Sequence, residues 1–302
     1  MRRTHMTLTT VDTNNYDEMA KAMGISAEAS SKSKQSSNLA RLRIAHSAIM
    51  GETELKGKKV NMEVVSGGHF KLEIPDGNTV YAPQIKIRTF LQRFMYKRFI
   101  KGSGNLPNRF VKTIMGDSLY VDLKDNDGGF NCGKPSGWIK DFKALPTTQQ
   151  DLIRQIKRTR VVFGLVDLVN PIDSTGSETK VDSTAFIWEI DNRDAFKTLG
   201  DTYNNFNKQR QLPIAHEISI GTEEKPLPNG SSFFVPSVSV DMHNAIPISS
   251  NDQSTFANFM EWVDSYNEYI ATAWNDKAKR NMAPDDAALV DEFMDIDDVA
   301  VA

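Results

Sequence analysis

The sequence predicts an α+β fold that is mainly antiparallel β, with a barrel-like core, helical insertions and a C-terminal helix. Many short β-like runs are separated by turn residues and few helical patterns lie between them, which argues against a doubly wound parallel sheet. The 302 residues, of which 39% are hydrophobic and 25% charged, suffice to bury a core without a disulfide or a metal. No repeat of fixed period is visible.

Three regions differ in composition. Residues 1–38 are polar and contain one short helical candidate, Asn15 to Met23, so we expect a flexible N-terminal arm. Met6 is an alternative start. Residues 39–280 have the composition of a folded core. Residues 281–302 form a C-terminal tail with seven acidic residues and no Lys or Arg, which we expect to be disordered.

The core begins with a predicted meander of short strands. Turn signals at Gly51, at Gly67 with Gly68, and at Pro75 to Asn78 separate the runs. The runs are LRIAHSA, KKVNMEVV, HFKLEI and NTVYA. A long run over 84–102 follows, and then the shorter runs RFVKTIM and SLYVDL before a glycine-rich loop.

Helices are predicted in the second half of the chain. One is capped by Thr147 or Thr148 and leads into the strand runs TRVVFGLVDLV and TAFIWEI. A second runs from Asn192 to about Gln211, where Pro213 ends it. More β runs occupy 217–242, and a last amphipathic helix is capped near Ser250 to Asp252.

Several classes of protein are excluded by composition. The one cysteine, Cys132, excludes a disulfide framework and the cysteine-based zinc modules, and it fits a reducing cytoplasm. The five histidines lack metal-ligand spacing, so neither a metal nor another cofactor is expected. No apolar run approaches the length of a membrane helix.

A basic block points to an anionic partner. Residues 85–112 contain eight basic residues and no acid. In an extended strand, alternation places Lys86, Arg88, Phe90, Phe94, Tyr96 and Arg98 on one face, and Ile85, Ile87, Leu91, Met95 and Phe99 on the other. An amphipathic helix is the alternative, because part of this apolar pattern also fits a helical stripe.

Cations with interleaved rings suit single-stranded nucleic acid, because cations neutralise phosphates and rings stack on unpaired bases. The candidate phosphate contacts are Lys86, Arg88, Arg93, Lys97, Arg98, Arg109, Lys112 and Lys134. The candidate stacking residues are Phe90, Phe94, Tyr96 and Trp138.

Two enzymatic patterns are weak. The loop from Gly128 to Ser136 matches GxxxxGK but has Pro135 where a P-loop needs Ser or Thr, and no helix of normal length fits directly after it. The acids Asp117, Asp122, Asp125 and Asp127 allow a two-metal nuclease site, although Asp125 to Gly129 also reads as a surface turn. We therefore expect a non-enzymatic protein, with an Mg-dependent nuclease or NTPase as an alternative.

The tail mixes acids with apolar residues. The candidate partner-binding residues are Asp291, Glu292, Phe293, Asp295, Asp297 and Asp298. Such a segment can occupy the cationic groove of its own chain or dock on basic surfaces of partner proteins. A merely solubilising tail is the alternative.

The general plan of residues 39–302 resembles the single-stranded DNA-binding proteins of tailed bacteriophages. That resemblance implies an OB-fold core, binding without sequence preference, and a tail that recruits phage replication or recombination proteins in the host cytoplasm. In this family the tail aromatic usually sits at the extreme end, whereas here VAVA follows the acids. A core of about 240 residues also exceeds one OB-fold, so insertions are expected. A phage structural or assembly protein, which would form homo-oligomers, is the rival class.

Overall fold

A computed structural model describes residues 39–55, 58–75, 77–103, 107–227, 230 and 232–281. The predicted N-terminal arm and acidic tail lie outside the described residues. The described part is α+β with mostly antiparallel strands, as predicted. The strands are β1 (Ala40–Ile44), β2 (Ile49–Leu55), β3 (Lys58–Val65), β4 (Phe70–Glu73), β5 (Thr79–Ala82), β6 (Gln84–Ile100), β7 (Arg109–Lys112), β8 (Ile156–Val169), β9 (Ile172–Asp173), β10 (Thr184–Ile190), β11 (Ile218–Pro226) and β12 (Ser232–Val240).

The helices lie close to their predicted positions. They are α1 (Thr147–Gln155), α2 (Arg193–Lys208) and α3 (Ser250–Asn281), with short 3-10 turns at Asn131–Gly133 and Pro213–Ala215. The predicted cap of α1 is wrong, because its N-cap is Pro146 and no side chain caps it. The run Ser118 to Leu123 forms no strand, which corrects another prediction.

Ten strands form one sheet in the order β12-β11-β6-β8-β10-β1-β4-β5-β9, with β7 also paired to β6. Only the β1–β10 pair among the described strands is parallel. Strands β2 and β3 form a separate two-stranded ribbon. The order β11-β6-β8-β10 is that of a Greek key, in which the fourth strand returns to lie beside the first.

The sheet is not closed by strand pairing, since the order has two ends, at β12 and at β9. A closed barrel is therefore not confirmed. Two hydrogen bonds nevertheless join the β11–β12 hairpin to the opposite part of the sheet. The Thr222 hydroxyl donates to the Gly68 carbonyl at 2.7 Å, and the Phe234 amide donates to His46 Nδ1 at 3.2 Å. The sheet thus curls until distant strands meet through side chains.

The inner core fills this curled sheet. Leu42, Phe70, Ile87 and Phe186 come from four different strands and are each 0–1% exposed. Helix α2 contributes to the same cluster through its buried apolar face, which includes Phe206. Its N-terminus is fixed by the Asn192 side chain, which accepts hydrogen bonds from two backbone amides of the first turn.

Helix α3 covers the other face of β6, β8 and β10. Its Phe259 packs edge-on against Phe90, with the ring centroids 5.7 Å apart. The same ring lies tilted against Phe163, with the centroids 5.8 Å apart. A reciprocal capping box begins the helix: Ser249 and Asp252 each accept a hydrogen bond from the backbone amide of the other. The chain is therefore layered, with the sheet between an inner core and a long outer helix.

The run from 84 to 100 is a strand, so the helical alternative is wrong. Its predicted single cationic face is also wrong, because a β-bulge interrupts the pairing with β8 between Thr89 and Leu91. The extra residue, Phe90, reverses the alternation of faces. Arg88 and Phe90 therefore lie on the α3 side of the sheet, whereas Phe94 lies on the α2 side.

Glycine is required opposite the bulge. A Cβ at Gly164 would lie closer to the carbonyl oxygen of Arg88 than real Cβ atoms approach.

No described helix has the length and the apolar character needed to cross a membrane.

Candidate nucleic-acid interface

The cations at the start of β6 are paired with carboxylates from distant parts of the chain. Lys86 Nζ lies 2.8 Å from Glu217, and Arg88 Nη1 lies 3.1 Å from Asp252 at the start of α3. Arg88 also donates twice to the Ile214 carbonyl and is 19% exposed at its side chain. The predicted block is basic in sequence, but these charges are largely neutralised in the fold.

The same holds farther along the strand. Arg93 pairs with Asp117 at 2.9 Å, and Lys97 with Asp191 at 2.9 Å. Glu189 lies 3.3 Å from both Lys97 and Lys112. Burial would raise the pKa of Glu189, but the two ammonium groups outweigh it and hold that pKa below its usual value.

Arg109 is paired as well, through both of its terminal nitrogens, to the carboxylate of Asp127. Lys277 from α3 shares that carboxylate, with its Nζ 2.6 Å from Oδ1. The hydrogen bond from Arg109 is the main cause that lowers the pKa of Asp127, although its partial burial works in the opposite direction.

Three of the four predicted stacking rings are packed within the protein. Phe90 is 8% exposed and Tyr96 is 2% exposed, and the Tyr96 hydroxyl donates to the Leu119 carbonyl at 3.0 Å. Phe94 is half-buried with its ring centroid 6.1 Å from that of Phe196. Bases cannot stack on faces that the core already covers. The fourth, Trp138, is 81% exposed.

A second, more exposed arrangement lies in the loop between β7 and β8. Tyr120 is 82% exposed and follows the carbonyl that holds Tyr96. Lys134 Nζ donates to the carbonyls of Pro135 and Gly137, at 3.0 and 3.2 Å, and so fixes the backbone next to Trp138. We call Tyr120, Lys134, Trp138 and Arg158 the loop surface.

Arg158 joins this surface from β8. It is the cross-strand partner of Tyr96, and Lys134 Nζ lies 5.7 Å from the centre of the Tyr96 ring. Arg158 is exposed, and within the described ranges it has no ion pair; its guanidinium lies 6.0 Å from the Phe196 ring. The exposed side chains Lys140 and Lys143 follow in the same loop and likewise have no described carboxylate partner.

Asp122 is the acid whose charge acts on Lys134 and raises the pKa of that lysine. It accepts hydrogen bonds from Ser136 and from Asn131, each at 2.7 Å, and these bonds lower its pKa. Asp122 is therefore ionised at neutral pH, and its charge is already shared with two polar groups.

The glycine-rich loop is a structural turn. The Asp125 carboxylate accepts hydrogen bonds from the backbone amides of Asp127, Gly129 and Cys132. After Lys134 no helix begins until Thr147, so the loop lacks the helix N-terminus on which a P-loop depends. The turn interpretation of this segment is thus confirmed.

Cys132 lies buried in this loop as a free thiol. Burial raises the pKa of the Cys132 thiol to about 12, so it stays protonated and is a poor nucleophile. Over the residues that the structure describes, no group of three or more His, Cys, Asp or Glu side chains could hold a metal ion.

Sequence reasoning missed Tyr120 and Arg158. A signal was present for Arg158, because residues 130–160 contain seven basic and two acidic residues, together with Phe130, Trp138 and Phe142. This second basic and aromatic segment lies mostly in a loop, where the alternation of side chains along a strand does not apply. The sequence pattern therefore does not predict which of its residues share a surface.

Comparison with known proteins gave no match to a family model, to a curated protein or to a solved structure.

Proposed function

We propose that this protein binds single-stranded DNA without sequence preference through the loop surface. One observation carries the proposal: two aromatic side chains, Tyr120 and Trp138, project almost fully into solvent from the loop that also carries Lys134, and no ion pair with a carboxylate is described for Lys134. Exposed flat rings accompanied by cations fit unpaired bases and their phosphates. A duplex keeps its base faces stacked, so single strands are the favoured ligand.

The strand order supports a distant relation to OB-fold architecture. Strands β6, β8, β10 and β11 follow the Greek-key order, and the β11–β12 hairpin reaches the opposite part of the sheet through Thr222 and Phe234. OB-folds are partly open Greek-key barrels that use the loop between their first two strands for binding. The loop surface lies in the corresponding connection, between β6 and β8.

The acidic tail completes the proposal as a competitor and as a recruiter of partners in replication or recombination. Helix α3 ends beside the loop that precedes Lys134, because Trp274 Nε1 donates to the Gly129 carbonyl at 2.9 Å. The tail sequence starts after this point with a charge of −7, opposite in sign to the cations of the loop surface.

The test is fluorescence-anisotropy binding to a labelled single strand and to its duplex, at about 50 and 200 mM salt. We expect tight, salt-sensitive preference for the single strand. The double variant Tyr120→Ala with Trp138→Ala should lose most of this affinity, whereas Tyr269→Ala, which removes a ring that is 70% exposed on α3, should keep it. Binding to neither nucleic acid, or equal loss in both variants, would refute the proposal.

A further inference from the structure

Three cations come from the segments that surround the buried Tyr96 ring, at the base of the loop surface. Tyr96 lies on β6, and Arg98 follows it on the same face with no bulge between them. Arg158 is the cross-strand partner of Tyr96, and Lys134 Nζ approaches the ring face to 5.7 Å. Strand pairing and the loop thus bring together side chains from three separate segments. We call Arg98, Lys134 and Arg158 the cation cluster.

Arg98 is held at the edge of the loop with unused hydrogen-bonding capacity. Its Nη1 donates to the Cys132 carbonyl at 3.1 Å. Its Nε is buried and has no hydrogen-bond partner among the described residues. Gly133 has a φ of 96°, and a Cβ there would lie 3.5 Å from Arg98 Nη1. The loop therefore passes close to the guanidinium and holds it in place.

The surroundings of Lys134 disfavour its positive charge. Its partial burial is the main cause that lowers the pKa of its ammonium group, and the charge of Arg158 acts in the same direction. Asp122 opposes this effect but is already hydrogen-bonded by Ser136 and Asn131. The charges of Lys134 and Arg158 act on each other, Arg98 lies on the same strand face as Tyr96, and the one carboxylate that acts on Lys134 is already hydrogen-bonded. The cluster therefore has an excess of positive charge that suits an anion with more than one negative charge.

We propose that the cation cluster is a subsite for a terminal phosphate, so that the protein prefers single strands with a phosphorylated end. A phosphate monoester carries nearly two negative charges at neutral pH, whereas each internal phosphodiester carries one. Guanidinium groups match its oxygens geometrically, and Lys134 adds a compact charge. This inference rests on the proposed single-strand binding and adds an end preference to it.

The experiment compares labelled single strands of one sequence with a 5′ phosphate, a 3′ phosphate or neither, the label being on the unmodified end. We expect one phosphorylated form to bind about fivefold to tenfold more tightly than the unphosphorylated strand. Millimolar inorganic phosphate, against chloride at equal ionic strength, should abolish this difference, because the free ion has the same chemistry. A difference that survives inorganic phosphate would overturn the subsite.

Variants locate the effect. The double variant Lys134→Gln with Arg158→Gln should bind every strand more weakly, because both residues belong to the loop surface, and should show no preference for a phosphorylated strand, while the matched surface variant Lys180→Gln keeps the preference. Equal binding of all three strands by the unaltered protein would overturn the end preference and leave the proposed function intact. No binding of any strand would instead refute the proposed function. A preference retained in the double variant would show that the cluster is not the subsite.

Discussion

Replacing Phe90 with alanine separates the two roles that its position allows. The sequence places this ring among the base-stacking candidates, whereas the structure packs it between β6 and α3, edge-on to Phe259. A core ring removed by mutation lowers the free energy of unfolding. A stacking ring removed by mutation lowers DNA affinity and leaves stability nearly unchanged.

The expected loss of stability follows from the burial. Phe90 is 8% exposed, and Phe163 and Phe259 of the same buried cluster are 0% and 1% exposed, so Phe90→Ala leaves a cavity in the core. Such substitutions cost about 3–5 kcal/mol, and the small residual exposure favours about 3 kcal/mol here. For a domain of this size, that corresponds to a fall in Tm of about 6–12 °C.

Thermal and urea unfolding measure this change, and anisotropy at a temperature where both variants are folded measures binding. The matched variant is Trp138→Ala, which removes a ring that is 81% exposed and should change the free energy of unfolding by less than about 0.5 kcal/mol. It should weaken single-strand binding about tenfold, the opposite pattern. Unchanged stability of Phe90→Ala combined with lost binding would refute the assignment of this ring to the core.

Three further outcomes are expected. Arg158→Glu should weaken single-strand binding and reduce the slope of log affinity against log salt by about 0.7 or more, and an unchanged slope in a salt titration would remove this residue from the interface. Deleting 285–302 should tighten binding at low salt, since it removes a competing polyanion; weaker binding would contradict the competition. The hydrogen bond from the Ser249 amide is the largest cause that lowers the pKa of Asp252 below its usual value, and Arg88 adds to it. The Asp252 carboxylate therefore stabilises the fold above about pH 3.9, and this stability is lost as the pH falls through the lowered pKa. Urea unfolding from pH 7 to pH 3 should therefore show a shallower loss for Asp252→Asn than for the unaltered chain, and parallel curves would count against this role.

Local patterns predicted the elements well where short-range chemistry decides them. Strand β6 follows from alternation, and the start of α3 follows from the capping residues near Ser250 to Asp252, although the residue that caps with Asp252 is Ser249. The bulge at Phe90 is not recognisable in the sequence, because Phe90 and the next residue, Leu91, are both apolar and fit either register. One unpaired residue then moved half of the predicted face to the other side of the sheet.

The electrostatic character of the site was harder to predict. A stretch without acids looks electropositive in sequence, but Arg88 meets its carboxylate 164 positions away, at Asp252. Neutralisation of charge is thus a property of tertiary contacts that composition cannot report. Conversely, Arg158 and Tyr120 are joined to Lys134 only by the pairing of β8 with β6 and by the loop conformation. Neither connection has a short-range pattern.

The strand order also has a consequence for how the chain acquires its structure during synthesis. Ala40 pairs with Phe186, and Ile87 pairs with Ile218, so most of the core must leave the ribosome before either contact can form. Closing such large loops precedes the gain from the contacts, and chains of this kind fold slowly. Until then the apolar side chains of β1, such as Leu42, lack the core partners that β10 and α2 supply, and uncovered apolar surface of this kind is what makes folding intermediates prone to aggregate.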